Sequence, residues 1–485
     1  MSRKVSVLIP TTLVLVGLAT GVARADDRHG QPGGSPGAPG IGDPYFPLDG
    51  NGGYDVLHYD LDVQYDPVTD VLTGVATIDA HALQDLSSFN LDLVGLEVRS
   101  VTVDVDKATW SRDGQELTIT PEHSLRGGRE FTTVVSYDGV PQTIQDALGP
   151  SGFMHTDDGA IVAGQPHGAA TWFPANDHPR DAASVDVTAT VPEGLEAISN
   201  GVLEGQETGE GWTTWSWHAK EPMATYLVTL AIGEFDVREY RSDGIRYWDA
   251  LDPDLFTLDR DPATEGPSAG QVAEGALARQ PEIIDFLSET FGPYPFRAAG
   301  GIVDDLPELR FSLETQTRPI YASAFFIGPV EGDRVVVHEL AHQWTGDLLR
   351  VDLWQHIWLN EGFATYAEWL WQEREGLGTP QQVFDDVAAN APPEFWQTTI
   401  GDPGPTVEEL FDKAVYYRGA MTLHALRTAV GDKVFFDIVA EWVVSQAGGT
   451  VTTEEFIALA EKESGQDLDA LFATWLFTPE KPAGI

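Results

Sequence analysis

The chain has no cysteine and only 4 methionines among 485 residues. Without thiols there is no disulfide framework, no cysteine nucleophile and no thiolate ligand, so any metal site must be built from nitrogen and oxygen. A chain of this length buries enough apolar surface to fold without covalent staples. Positive charge is scarce as well: 28 Lys and Arg stand against 76 Asp and Glu, a formal net charge of −48. Such a field repels nucleic acid and anionic membrane surfaces and draws cationic peptides toward a cleft. It equally suits a solvated acidic surface kept soluble in salt, where screening relieves self-repulsion, and a salt-tolerant source is the expectation that follows. Long apolar runs are missing after the first 25 residues, so nothing beyond them is expected to cross a bilayer.

The exception is the start of the chain. Arg3 and Lys4 precede an apolar run from Val5 to Val22, and Ala23-Arg24-Ala25 has the small-x-small form of a signal-peptidase site. Residues 1–25 are expected to be a removed export signal, cleaved after Ala25, with a secreted mature form that touches no membrane. The rival reading, an uncleaved anchor, is weakened by Pro10, Gly17 and Gly21 inside the run. Cleavage removes Arg3, Lys4 and Arg24 and no acid, which takes the formal charge to −51. Residues 26–43 are rich in Gly and Pro and are expected to be a flexible linker, with folded structure beginning near Asp43.

Beyond that point the hydropathy has period two. Leu57, Tyr59, Leu61, Val63 and Tyr65 alternate with His58, Asp60, Asp62 and Gln64, the pattern of a half-buried strand. Val101, Val103 and Val105 repeat it, as do Val185, Val187, Ala189 and Val191, so residues 44–238 are expected to form an all-β domain. The pattern then changes. Residues 239–485 are expected to be a second, mixed domain, with a helix over Val272–Thr290, a turn at Phe291-Gly292-Pro293-Tyr294-Pro295-Phe296, and mostly helix after residue 361. No repeat is visible, and a monomer is expected.

The chemistry is concentrated in His338-Glu339-Leu340-Ala341-His342 and in Glu361, nineteen residues further on. Residues four apart on a helix share a face, so His338 and His342 can aim two imidazoles at one point. The helix is expected to start with Asp333 as N-cap and to bury Val335, Val336 and Val337. Glu361 lies in Trp358-Leu359-Asn360-Glu361-Gly362-Phe363-Ala364-Thr365-Tyr366, a second helical pattern whose start can supply a third ligand. Two histidines and a carboxylate leave one position of a tetrahedral zinc open, the arrangement of a hydrolytic zinc site with Glu339 beside it as general base. Glu368, two turns after Glu361, is placed to orient a ligand histidine through its second ring nitrogen. The bland alternative, a buried helix with two satisfied histidines, leaves the three coincidences unexplained.

This pair of motifs resembles the aminopeptidase N and leukotriene hydrolase family of gluzincin metallopeptidases. The resemblance implies an α+β, multidomain chain: an N-terminal all-β, saddle-like domain, then a thermolysin-like mixed α/β catalytic domain, here without the C-terminal helical domain that roofs many relatives. It implies one Zn2+ held by His338, His342 and Glu361, and peptide substrates with a free N-terminus. Tyr416, in Tyr416-Tyr417-Arg418-Gly419-Ala420, falls where the family places its transition-state tyrosine, three residues before the glycine. Glu314, in Phe311-Ser312-Leu313-Glu314-Thr315, resembles the amine-binding glutamate of the family's Gly-x-Met-Glu-Asn motif, although Phe311, Leu313 and Thr315 depart from it. Gln165, nine residues before Pro174, matches a residue that helps hold the amino end. A secreted zinc aminopeptidase is therefore expected. The alternatives are a zinc peptidase with endopeptidase or other hydrolase activity, and an inactive peptidase-shaped binding module.

Overall fold

The computed structural model describes residues 33–146, 149–257 and 266–485. The expected export signal and the first part of the expected linker lie outside the described residues. The rest of that segment is not a free tether. Ser35–Pro36 pairs in parallel with the strand Leu86–Asp92, Gly37 N–H donates to the Ser88 carbonyl at 2.8 Å, and a Cβ on Gly40 (φ +114°) would lie 2.1 Å from the Pro47 carbonyl oxygen. These glycines permit close backbone packing, a use that composition alone does not separate from flexibility.

The N-terminal domain is all β, as expected. Its eight-stranded sheet is centred on Tyr54–Asp66, which pairs in parallel with Ala182–Pro192 and antiparallel with Val71–Ala82. Tyr59, Leu61, Val63 and Tyr65 are buried at 1% exposure or less, but Leu57 is 41% exposed. A register shift between Val56 and His58 inserts one residue, so Val56 takes the inward place and Leu57 turns out. Val105 also points outward, past the end of its strand Glu97–Val103. A five-stranded and a four-stranded sheet complete the domain.

The second domain opens with a four-stranded sheet, Asp236–Ser242, Ile245–Leu251, Ala298–Asp304 and Ile320–Ala322, whose last two pairings are parallel. Ala298–Asp304 is buried along its whole length, as a parallel strand covered on both faces should be. The described helices are α1 (Ala269–Leu277), α2 (Gln280–Phe291), α3 (Pro329–Ala341), α4 (Trp358–Arg374), α5 (Pro380–Asn390), α6 (Val407–Leu410), α7 (Lys413–Val430), α8 (Asp432–Gln446), α9 (Thr453–Ser464) and α10 (Asp469–Phe472).

Two boundaries differ from expectation. The single helix over Val272–Thr290 is divided into α1 and α2, because Pro281 has no N–H to continue the ladder and starts a new helix instead. Asp333 is not the N-cap of α3: Gly328 is, with Pro329 at N1, and Asp333 sits inside the helix paired with Arg279. Val335, Val336 and Val337 are buried as expected.

The two domains are tied together through buried polar groups. Arg318, fully buried, donates to the carbonyls of Ser199 and Gly201 in the first domain and of Trp248 and Ala299 in the second, with its guanidinium over Trp217 and Trp248. Asn200 donates to the carbonyls of Leu227 and Gln316, and at the partly exposed margin Arg180 forms a bidentate pair with Asp352. Buried charge of this kind is retained only where every donor has an acceptor. A cleft opens along the join.

Candidate active site

Helix α3 delivers His338 from its last turn and His342 from its C-cap, and α4 delivers Glu361 from its first turn. Glu361 Oε2 lies 3.3 Å from His338 Nε2 and 3.4 Å from His342 Nε2. The three candidate ligand atoms fall within 4.8 Å of one another, and all three residues are buried. Each imidazole is held from behind: His338 Nδ1 donates to Glu368 Oε1 at 2.6 Å and His342 Nδ1 to the Thr345 carbonyl at 2.9 Å. These bonds occupy both Nδ1 atoms and leave both Nε2 atoms facing Glu361.

Around this point the other predicted residues converge. Glu339, 5% exposed, shares with Glu314 and His342 a second cluster of donor atoms within 4.8 Å. Glu314 Oε1 accepts from Tyr226 O–H at 3.0 Å and from Gln165 Nε2 at 3.3 Å. The Tyr416 ring stacks on His338 with centroids 5.9 Å apart and planes 23° from parallel. Gln165, Glu314, Glu339, Tyr416 and Tyr417 all line one cavity of about 450 Å³, the size of a ligand pocket.

Tyr416 reaches the site because α4 and α7 touch. A Cβ on Gly362 would lie 3.0 Å from Gly419 Cα, and one on Gly419 would lie 2.8 Å from Gly362 Cα. Two glycines let the helix axes approach, which puts Tyr416, one turn before Gly419, beside the ligand preceding Gly362. Two further contributors were assigned no role from the sequence. Tyr226 comes from the first domain, and Gln343, next to His342, spans Glu314 and Thr317 by donating to the Glu314 carbonyl and accepting from Thr317 N–H.

The electrostatics call for a cation. Burial pushes the Glu339 carboxyl up to about 8, against the pull of the His338 and His342 rings. Burial opposes a charged His342, yet Glu361 and Glu314 outweigh it and raise the ring to about 9, and His338 is raised by Glu361 and Glu368 in the same way. Burial also works against the charged form of Glu361, but the two imidazoles hold it down at about 2. Protons on the imidazoles thus balance the buried Glu361 carboxylate, a role that a divalent ion held by His338, His342 and Glu361 would take over. The donor set of two imidazoles and a carboxylate, with no thiolate, fits zinc.

Two family signatures match the chain: the peptidase M1 N-terminal domain over residues 56–227 and the peptidase family M1 domain over residues 330–475. Aminopeptidase M1 of Arabidopsis thaliana is 24% identical over 455 residues, covering 86% of this chain and 49% of its own. Human aminopeptidase N is 27% identical over 378 residues, covering 70% and 37% respectively. The chain thus spans about half or less of the length of these curated relatives. Among solved structures, an M1 zinc metallopeptidase from Deinococcus radiodurans is 28% identical with a TM-score of 0.80, covering 91% of this chain and 98% of that one. A point variant of a two-domain M1 zinc metallopeptidase, bound to L-arginine, is 30% identical with the same TM-score and the same coverages.

Proposed function

Because the chain belongs to peptidase family M1, we propose that it is a secreted zinc aminopeptidase that removes residues from the amino end of peptides. The observation that carries this reading is the convergence of the His338–His342–Glu361 cluster and the Glu314 carboxylate on one cavity. His338 and His342 through Nε2, and Glu361 through its carboxylate, would hold the ion. When bound, zinc supplies Lewis acidity that acidifies water and polarises a carbonyl. Glu339 takes the proton of the attacking water and passes it to the leaving amine. Tyr416 offers a hydroxyl to the oxygen on which charge develops; burial keeps it protonated, with Glu361, Glu314 and Glu339 acting in the same direction.

Glu314 faces the substrate's ammonium. Tyr226 and Gln165 fix its orientation, and burial with few donors leaves a carboxylate that gains most from an arriving cation. A carboxylate walled in by Tyr226 and Gln165 favours exopeptidase action over internal cleavage, which needs the chain to run on past that point. Export rests on the sequence form of residues 1–25.

The test is to incubate the zinc-loaded protein with one peptide in free and N-acetylated forms and to identify the products. Shortening of the free form alone, from its amino end, is expected. Equal cleavage of both would remove Glu314 from amine recognition, and no cleavage of either would remove the aminopeptidase reading.

A further inference from the structure

The cleft is polar along its length. Its His342 end carries Glu314 with Gln165 and Tyr226. Its His338 end continues through Glu368 to Arg334, whose Nε is 3.6 Å from Glu368 Oε2 and whose side chain is 52% exposed. Tyr417 lies in the field of Glu368 and Arg334, and Lys413 stands one turn before Tyr417 on α7. Arg310, four residues upstream of Glu314, lines the same cavity. Arg310, Arg334 and Lys413 thus gather three of only 28 cations in a chain with 76 acids.

Two of the three are not explained by folding. Arg310 and Lys413 are exposed and enter no ion pair with another side chain among the described residues, on a surface where acids outnumber bases by far. Lys413 also occupies the first position of α7, where the helix dipole disfavours a cation and favours an anion. The nearest acid, Asp412, is engaged in capping Ala414 N–H at 2.8 Å.

We propose that this end of the cleft receives a carboxylate lying downstream of the scissile bond, which makes short acidic or carboxy-terminated peptides the preferred substrates. The inference rests on the aminopeptidase reading of the same site. The ammonium meets Glu314, the scissile bond lies over His338 and His342, and the carboxylate meets Arg310, Arg334 and Lys413. The shared chemistry has two sources: the C-terminal carboxylate of a di- or tripeptide, or an Asp or Glu side chain after the bond.

The experiment compares three substrates of the zinc-loaded enzyme: Ala-Ala-Ala, its C-terminal amide, and Ala-Glu-Ala amide. The first is expected to exceed the amide in kcat/KM by about tenfold, the return on two or three charge-assisted contacts at a half-exposed site. A gain for Ala-Glu-Ala amide instead would assign the receptor to a side chain. The Arg310→Gln, Lys413→Gln double variant should remove the gain and leave hydrolysis of Ala-Ala-Ala amide as in the parent. Calorimetric binding of the same three peptides to Glu339→Gln protein gives a readout that does not need turnover. Equal kcat/KM and equal binding across the three overturn the receptor while leaving the aminopeptidase reading intact. Hydrolysis of none, with binding that still ranks carboxylate over amide, overturns that reading and keeps the receptor.

Discussion

Gly419→Ala places one methyl group between α4 and α7. Its carbon would lie 2.8 Å from Gly362 Cα and in contact with backbone rather than a flexible side chain. Carbon atoms rest about 3.5–4.0 Å apart, so the helices must separate by about 1 Å. Overpacking of this kind costs about 1–3 kcal/mol. Alanine returns about 0.8–1.0 kcal/mol through its better helix propensity, so the net loss of stability is about 2 kcal/mol or less. Function should suffer more than folding. Tyr416 lies one turn from the substituted residue, and Glu361 adjoins the glycine it strikes, so the shift falls between the proposed donor and a proposed metal ligand. A displacement of about 1 Å at a reacting centre costs about 10²-fold in rate. Urea midpoints, zinc content and steady-state kinetics on a free peptide would be measured together. A folded, zinc-replete variant with kcat down by about two orders of magnitude is the expected result. A kcat equal to the parent's in a protein that has lost stability would refute the claim that the glycine contact positions Tyr416.

Other perturbations read other parts of the site. Tyr416→Phe should lower kcat by about 10²–10³-fold, the cost of one oxyanion donor, while Tyr417→Phe stays near the parent, and parallel kinetics of the two variants decide the register. Glu368→Gln removes the carboxylate behind His338 and should weaken zinc binding by about 10–100-fold, measured by competition with a chelator. Asp304 is buried with neither oxygen hydrogen-bonded, and burial, aided by Asp252 and Asp158, raises its carboxyl to about 8 from about 3.9 in an unfolded chain. A raised folded value means that the stability it permits is full below about pH 4 and is lost as pH rises to about 8, so Asp304→Asn should resist urea better than the parent at pH 8 and equally at pH 4. Identical pH dependence in the two proteins would contradict it.

What was legible in the sequence is what depends on local geometry. Two histidines four apart must share a helical face whatever surrounds them, and a glutamate in the first turn of the next helix is a short-range feature too. Resemblance extended this to Glu314, Gln165 and Tyr416, all of which line the cavity. What was not legible depends on partners distant in the chain. Leu57 fits an inward position until a bulge against Val71–Ala82 reverses it. The Gly/Pro-rich residues after 32 pass for a tether until the strand Leu86–Asp92 is there to receive them. Pro281 was a local signal for the break between α1 and α2, outweighed by the apolar periodicity on either side of it.

The same distinction explains why Tyr226 escaped notice and why it matters. Glu314 belongs to the second domain, but both side chains that donate to its carboxylate, Gln165 and Tyr226, belong to the first. The corner proposed to bind the amine is therefore an interdomain structure, and its geometry is only as firm as the join. Arg318 secures that join four residues from Glu314, where it draws together carbonyls from both domains. Replacing its guanidinium leaves buried carbonyl oxygens unpaired, each at a cost of about 1–3 kcal/mol. The consequence reaches recognition before the metal: the residues that would hold the ion lie on α3 and α4 and do not cross the join. Arg318→Met should then raise KM for free peptides while zinc affinity stays with the parent. Parallel loss of both would mean that the two domains support the metal site as well as the amine pocket.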